Sequence, residues 1–445
     1  MDDLRPHDEH DEHEEPAHDI VDEPVDAVVD RLAAYTHSAE DEHPAELSQF
    51  DPGLEVEMLE LADEPRRFGR LRNRPPKGEK PERAEKPEKQ RKDKRAKKLV
   101  GLKIGASQIA AAHVVNNGSP ELVEVVREPL EQGVVVAGEI RDPEALGDAL
   151  KRFFDLHKLP KNAVRLGVAN NRIGVRIFEI EGISDPQMLE NAIRFRAEEV
   201  LPIPLDQAVL DYVVLDGREG DGTEWLRILM VVAYRDVVDR YLQACRRAGL
   251  QVVGIDHEAF ALLRALRAPL ERDQSSGALV GIAIGHDRTT IAVSNGVNCE
   301  FARVLDWGGW SLNVAIAREL DRAPTEVESI KRHLSLDGPG EIEGLTDEQV
   351  AKVKSGVQRA LDGFAREIVS SLQFYQAQPG SHGIGEIVMT GGAAQLEGLP
   401  AAVAERVGVP IRIGDPAQRV NVGPKVDFRD QPGSFSVAIG LGIED

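Results

Sequence analysis

Leu99-Val-Gly-Leu-Lys-Ile-Gly105 returns 180 positions later, nearly unchanged, as Leu279-Val-Gly-Ile-Ala-Ile-Gly285. Each copy is an apolar run stopped by glycine, followed by a short polar turn and a second apolar run. That order predicts a buried strand, a tight turn and a returning strand. Glycine at the turn tolerates positive φ and lets a ligand come close to the backbone. One such hairpin per half constrains the chain to a duplicated fold in which two loops face each other. The fifth residue of each copy differs in kind, Lys103 in the first and Ala283 in the second.

At 445 residues the chain is long enough for two or three core-forming units. Its net charge of −23 is unevenly placed. Residues 1–65 hold 23 acidic and 2 basic side chains, residues 66–98 hold 16 basic and 5 acidic, and the remainder is an ordinary acidic protein. Cys245 and Cys299 are the only cysteines, which excludes a disulfide framework and a zinc-finger pattern. No stretch reaches the ~18 apolar residues of a membrane span, and Met-Asp-Asp begins no signal peptide. A cytoplasmic protein is expected.

Residues 1–98 read as disordered, being rich in charge and proline. Val25, Val28, Val29 and Leu32, and the denser Leu54-Glu-Val-Glu-Met-Leu-Glu-Leu61, are nascent helices or docking segments that fold on a partner. Six of the twelve histidines (His7, His10, His13, His18, His37 and His43) lie in this solvated tail. The basic stretch 66–98 reads first as a linker and second as a surface for anionic lipid. Interleaved Glu79, Glu82, Glu85 and Glu88, with Phe68 as its one aromatic, argue against nucleic acid.

From Leu99 the pattern is globular. Strands are predicted at 99–104, 109–115, 121–126, 163–168, 175–180, 208–215, 226–233 and 250–255, with helices at 143–157, 186–200, 235–248 and 256–266. The second half (278–445) repeats the theme, with strands at 278–284, 289–294, 300–305 and 384–390 and helices near 312–320, 325–333, 346–375 and 400–407. Alternating strands and helices in two related halves predict an α/β architecture. A small α+β subdomain is inserted into the first half (99–277) at about 175–233.

Asp185-Pro-Gln-Met-Leu-Glu-Asn-Ala-Ile193, Glu198-Glu-Val-Leu-Pro-Ile-Pro204 and Val209-Leu-Asp-Tyr-Val-Val-Leu215 fill that inserted region. Val231-Val-Ala-Tyr-Arg235, Ala248-Gly-Leu250, Ile255-Asp-His-Glu-Ala-Phe-Ala261 and Phe435-Ser-Val-Ala-Ile-Gly-Leu-Gly442 follow in order. With these elements residues 99–445 resemble the PilM family of type IV pilus assembly proteins, relatives of the division protein FtsA. The resemblance implies a duplicated actin-like (ribonuclease H-like) fold and a nucleotide site for ATP or ADP. Gly105, Ala106, Ser107 and Gln108 would face the phosphates from the first hairpin, and Gly285 with Thr289 from the second. Gly308 and Gly309 would bring backbone to a phosphate or ribose. Glu328 and Lys331 would contact the nucleoside, and Gly391, Gly392 and Ala393 would wall the adenine.

The departures from the family pattern bear on chemistry. In active actin-like ATPases the fifth hairpin position is an aspartate that holds hydrated Mg²⁺ and orients the attacking water, and here those positions are Lys103 and Ala283. A hard divalent cation wants anionic oxygen, so the loss of both argues against Mg²⁺ and against hydrolysis. The lysine expected five residues past the first glycine is Ala110. Lys103 either pairs with a phosphate in place of the metal or stabilises a local carboxylate, and Asp287, the one nearby acid, either restores metal binding or is a structural turn residue. No catalytic residue and no metal ligand is expected.

The resemblance implies a scaffold on the inner face of the cytoplasmic membrane. It would bind the N-terminal cytoplasmic peptide of a bitopic PilN-like protein, in a groove between the first core subdomain and the inserted one. Through that partner it would reach the assembly ATPase and platform protein indirectly. The alternative is an active ATPase of FtsA or sugar-kinase type. An FtsA-like chain would end in an amphipathic helix rather than Gly442-Ile-Glu-Asp445, and a sugar kinase needs a carboxylate base that the motifs do not supply.

Overall fold

In a computed structural model the described residues are 97–445, apart from 184, 201–203, 221–222, 267–276, 339–341, 425, 429–430 and 445. The acidic tail and most of the basic linker lie outside them.

The first apolar repeat becomes β1 (Lys97–Ile104), which returns as β2 (Gln108–Asn117) and β3 (Ser119–Pro129). A two-residue pair, β4 (Val135–Val136) and β5 (Glu139–Ile140), leads into α1 (Pro143–His157). That helix starts where it does because Asp142 caps it. Its Oδ1 accepts from the Glu144 and Ala145 N–H groups at 3.0 and 2.9 Å, with proline at the first helical position. Next come β6 (Val164–Val168), β7 (Ile173–Glu181), α2 (Pro186–Val200), β8 (Ala208–Gly220), β9 (Thr223–Tyr234), α3 (Arg235–Arg247), β10 (Val252–His257) and α4 (Glu258–Leu266).

The second repeat opens β11 (Ala278–Ile284), then β12 (Thr289–Ser294) and β13 (Cys299–Leu305). Helices α5 (Gly309–Leu320), α6 (Glu328–His333) and α7 (Asp347–Gln376) follow, then β14 (Ile384–Thr390), α8 (Leu399–Val407), β15 (Ile411–Ile413), β16 (Asn421–Val422) and α9 (Ser436–Gly442).

Strand order shows the duplication directly. The first sheet runs β10-β6-β1-β2-β3-β16 and the second β15-β14-β11-β12-β13, so each repeat strand is central, with an antiparallel hairpin partner on one side and a parallel strand on the other. Equivalent positions share register: Lys103 faces Ala110, and Ala283 faces Thr290. Helices α1 and α3 cover one face of the first sheet through Leu146, Leu150, Phe154, Tyr241 and Cys245. Helices α5, α7 and α8 cover one face of the second through Leu312, Leu361, Phe364, Ile368 and Val403.

Between the sheets lie α4 and α9. Leu262, Leu279, Val388, Val437 and Leu441 form one buried cluster there, and Ala112, Val114, Ala438 and Ile439 another. The sequence pattern does not predict helix α9. Its apolar and small residues are buried on every side, so they carry no amphipathic period. They also explain the third residue of the first repeat. A Cβ on Gly101 would stand 2.0 Å from the Ala438 carbonyl oxygen, and one on Gly440 would stand 1.8 Å from that of Ala261. Backbone meets backbone there without side chains between. The end of α9 is tied down by Arg165, which donates to the Ile443 carbonyl at 2.8 Å, and by Asn116, which donates to that of Gly442 at 2.9 Å.

The inserted region is a separate three-stranded sheet, order β7-β9-β8, packed on α2 through Ile180, Leu189, Ile193, Ile228 and Met230. It is joined to the second half by Arg227, which donates to the buried carboxylate of Glu300 at 3.1 Å. Tyr375 at 2.6 Å and Asn295 at 2.9 Å also donate to Glu300.

Candidate functional site

The two repeat hairpins turn toward one cleft. Each turn is closed by its glycine: the Gly105 N–H donates to the Gln108 carbonyl at 2.9 Å and the Gly285 N–H to that of Arg288 at 2.8 Å. Neither glycine adopts positive φ, contrary to the simplest expectation for such turns. The second is tight for another reason, since a Cβ on Gly285 would stand 2.9 Å from the Arg288 carbonyl oxygen.

The cleft between the hairpins encloses about 70 Å³, space for about five waters or a phosphate group. Gly105, Ala106, Ser107 and Gln108 line it from the first hairpin and Gly285, His286, Asp287 and Arg288 from the second. Gly391, Gly392, Gly433 and Ser434 complete the wall. Gly391 is required by the chain itself: at φ +99 its Cβ would lie 2.2 Å from the Ile284 carbonyl oxygen.

Lys103 lines the cleft with its ammonium already engaged. Its Nζ donates to Glu258 Oε2 at 2.6 Å, with the lysine side chain 22% and the glutamate 6% exposed. Glu258 opens α4, so the helix N-terminus adds its partial positive charge. The other acid, Asp287, reaches across to the first half and accepts the Ala137 N–H at 2.8 Å. Ala137 and Gly138 form the β4–β5 turn with φ of 57° and 69°. Their carbonyls accept from Asn170 at 3.3 Å and from the Tyr241 hydroxyl at 3.1 Å. Burial and the Glu258 charge push the Tyr241 phenol well up, which keeps it a donor. His286, half-buried beside Trp310, is pushed down by burial and by the Lys331 charge, against Asp287 and Glu328.

The remaining expected residues stand away from the cleft lining. Thr289 is fully buried and spends its hydroxyl on the Trp307 carbonyl at 2.8 Å, while Thr290, on the opposite face of β12, lines the cleft. Strand alternation decides between the two. A Cβ on Gly308 would meet the His286 carbonyl oxygen at 2.6 Å, so that glycine is fixed by chain packing. Glu328, Lys331, Gly309 and Ala393 form an adjoining cluster. Lys331 Nζ lies 2.8 Å from Glu328 Oε2 and donates to the Gly309 carbonyl at 3.3 Å, and Ala393 packs on Gly309. Burial acts to raise Glu328, but hydrogen bonds from Lys331 and Asn313 and the Lys331 charge hold it at about 2. The sequence motifs do not single out Arg288 or Glu258 as site residues. The turn glycine marked Arg288's loop, but 155 residues separate Glu258 from Lys103.

The donor set fits the phosphates of a nucleotide, through hairpin amides, Ser107, Lys103 and Arg288. It does not fit Mg²⁺. Glu258 is neutralised by Lys103, Asp287 holds the Ala137 amide, and Ala283 offers no oxygen. Among the described residues no group of three or more His, Cys, Asp or Glu side chains is gathered to hold a metal.

The model of one protein family, described as Type IV pilus assembly protein PilM, matches residues 101–445. The chain belongs to the PilM family. It is similar to a chain of a solved PilM-PilN type IV pilus biogenesis complex, with 26% identity and a TM-score of 0.66, covering 78% of this chain and 99% of that one. It is also similar to the cell division protein FtsA of Escherichia coli (strain K12), 27% identical over 390 residues, 78% of this chain and 89% of that protein. FtsA of Bacillus subtilis (strain 168) is 21% identical over 313 residues, 63% of this chain and 70% of that protein. The duplicated α/β fold predicted from the repeat, and the actin-like form of it that the resemblance implies, therefore stand. Among the described residues no helix is long and apolar enough to cross a membrane.

Proposed function

We propose that this PilM-family protein is a scaffold of the type IV pilus assembly platform, peripheral on the inner face of the cytoplasmic membrane. It binds the cytoplasmic N-terminal peptide of a PilN-like membrane protein and holds ATP or ADP without hydrolysing it. The observation that carries the reading is the likeness, across nearly the whole of that chain, to one chain of a PilM-PilN complex. The inserted sheet supports it. Strand β8 is one edge of that sheet, and Val213 and Val214 on it are 58% and 42% exposed. An extended peptide can add to such an edge by main-chain hydrogen bonds, with alternate side chains packing on the exposed valines. The Lys103–Glu258 pair supports the absence of hydrolysis, since it stands where an ATPase places a metal-holding carboxylate. Contact with the assembly ATPase and the platform protein then runs through the partner.

Calorimetric titration of the full chain with a synthetic peptide of the PilN-like protein's cytoplasmic N-terminus tests this. Saturable one-to-one binding that Val213→Glu weakens is expected, and heats of dilution alone would overturn the reading.

A further inference from the structure

The Arg288 side chain is only 10% exposed, yet its Nε is buried without a hydrogen-bond partner. The guanidinium pairs with exposed Asp306 through Nη1, which leaves the Nε face unmatched. A guanidinium does not shed its proton, so a neutral form cannot relieve the mismatch. One remedy for a buried charged N–H is an acceptor brought from outside. Arg288 lines the cleft together with Lys103, Ser107 and Gln108. It precedes β12 two residues before Thr290, and strand alternation sets these two on the cleft side, opposite Thr289.

We propose that Arg288 is an anion-binding residue of this cleft and that, with Lys103, it takes the part of a divalent cation, so that the ligand is a metal-free diphosphate-bearing anion. This inference rests on the nucleotide reading above and deepens it. Arg288 Nε is the donor that stands free. Lys103 is held by Glu258, which acts as a built-in counter-ion and takes part of the ammonium's three-donor capacity, leaving the rest for a phosphate. Two signs follow. Mg²⁺ competes with Lys103 and Arg288 for the same phosphate oxygens, so it weakens binding. Removing the Glu258 charge releases Lys103, so Glu258→Gln tightens binding.

The test is calorimetric titration of the full chain with ADP and with inorganic pyrophosphate, each in EDTA and in excess Mg²⁺. ADP is expected to bind in EDTA at least as tightly as with Mg²⁺. Arg288→Gln is expected to weaken it by about tenfold or more, the worth of one charge-assisted hydrogen bond. Asp306→Asn breaks the same ion pair and leaves the arginine in place, so it retains binding. If Arg288→Gln does not fold, the Mg²⁺ comparison and Glu258→Gln still decide. ADP binding that requires Mg²⁺ overturns the inference and leaves the nucleotide reading standing. Arg288→Gln binding ADP as the native chain does has the same consequence. Pyrophosphate binding that depends on Arg288, with no gain from the nucleoside, upholds the anion site and removes the nucleotide reading. Binding of neither probe overturns both.

Discussion

Lys103→Met probes the pair that replaces the first hairpin's acid. The native ammonium lies 2.6 Å from a carboxylate whose side chain is 6% exposed. Removing the lysine strands that charge, and breaking a buried pair from one side costs about 3–5 kcal/mol. The α4 N-terminus and the partial exposure of Lys103 offset some of this, which leaves about 2–3 kcal/mol. Glu258→Gln is milder. Lys103 at 22% exposure still reaches solvent and still has an amide oxygen to donate to, so the loss is about 1 kcal/mol. The double variant should be more stable than the sum of the singles predicts, by about 1–2 kcal/mol. Urea unfolding at neutral pH, followed by circular dichroism without nucleotide, measures all four proteins. A Lys103→Met protein as stable as the native one would refute the reasoning, as would strict additivity in the double variant.

Gly101→Ala should lower the urea midpoint by the equivalent of about 1–3 kcal/mol, because its Cβ meets the Ala438 carbonyl oxygen at 2.0 Å. Gly182→Ala at an open turn serves as the comparison for cost without a clash. Glu328, held at about 2 from an ordinary 4.5, contributes stability that is complete above 4.5 and lost as pH falls toward 2. Glu328→Gln should therefore flatten the acid limb of stability plotted against pH. Burial pushes the thiols of Cys245 and Cys299 from 9 up to about 12. Native protein at pH 8 should then resist a thiol-specific reagent until urea is added. The raised values also make stability fall as pH climbs from about 9 toward 12, where only the unfolded chain gives up the proton.

Much of this architecture is legible in the sequence because it is local. The seven-residue repeat becomes the central strand of each sheet, and the helices predicted to start at Pro143 and Pro186 start there. What the sequence hides is long-range. Helix α9 is buried all round and gives no period. Strands β15 and β16 are three and two residues long, too short for a pattern. In the cleft, the turn glycines mark the two hairpin loops that line it. The choice between Thr289 and Thr290 turns on strand register, which one residue of slip reverses. Lys103 shows that an acid is missing, but only the fold brings Glu258 to it. The inserted subdomain's link to the second half through Arg227 and Glu300 is likewise a tertiary fact, built from two charges 73 residues apart.

The proposed scaffold role requires a nucleotide cleft without the chemistry of an ATPase. Phosphate release from Mg·ATP by the purified full chain, in the presence of the PilN-like peptide, tests it most directly. Release at the background rate, unchanged by Ser107→Ala, is expected. Turnover well above background that Ser107→Ala abolishes would contradict it.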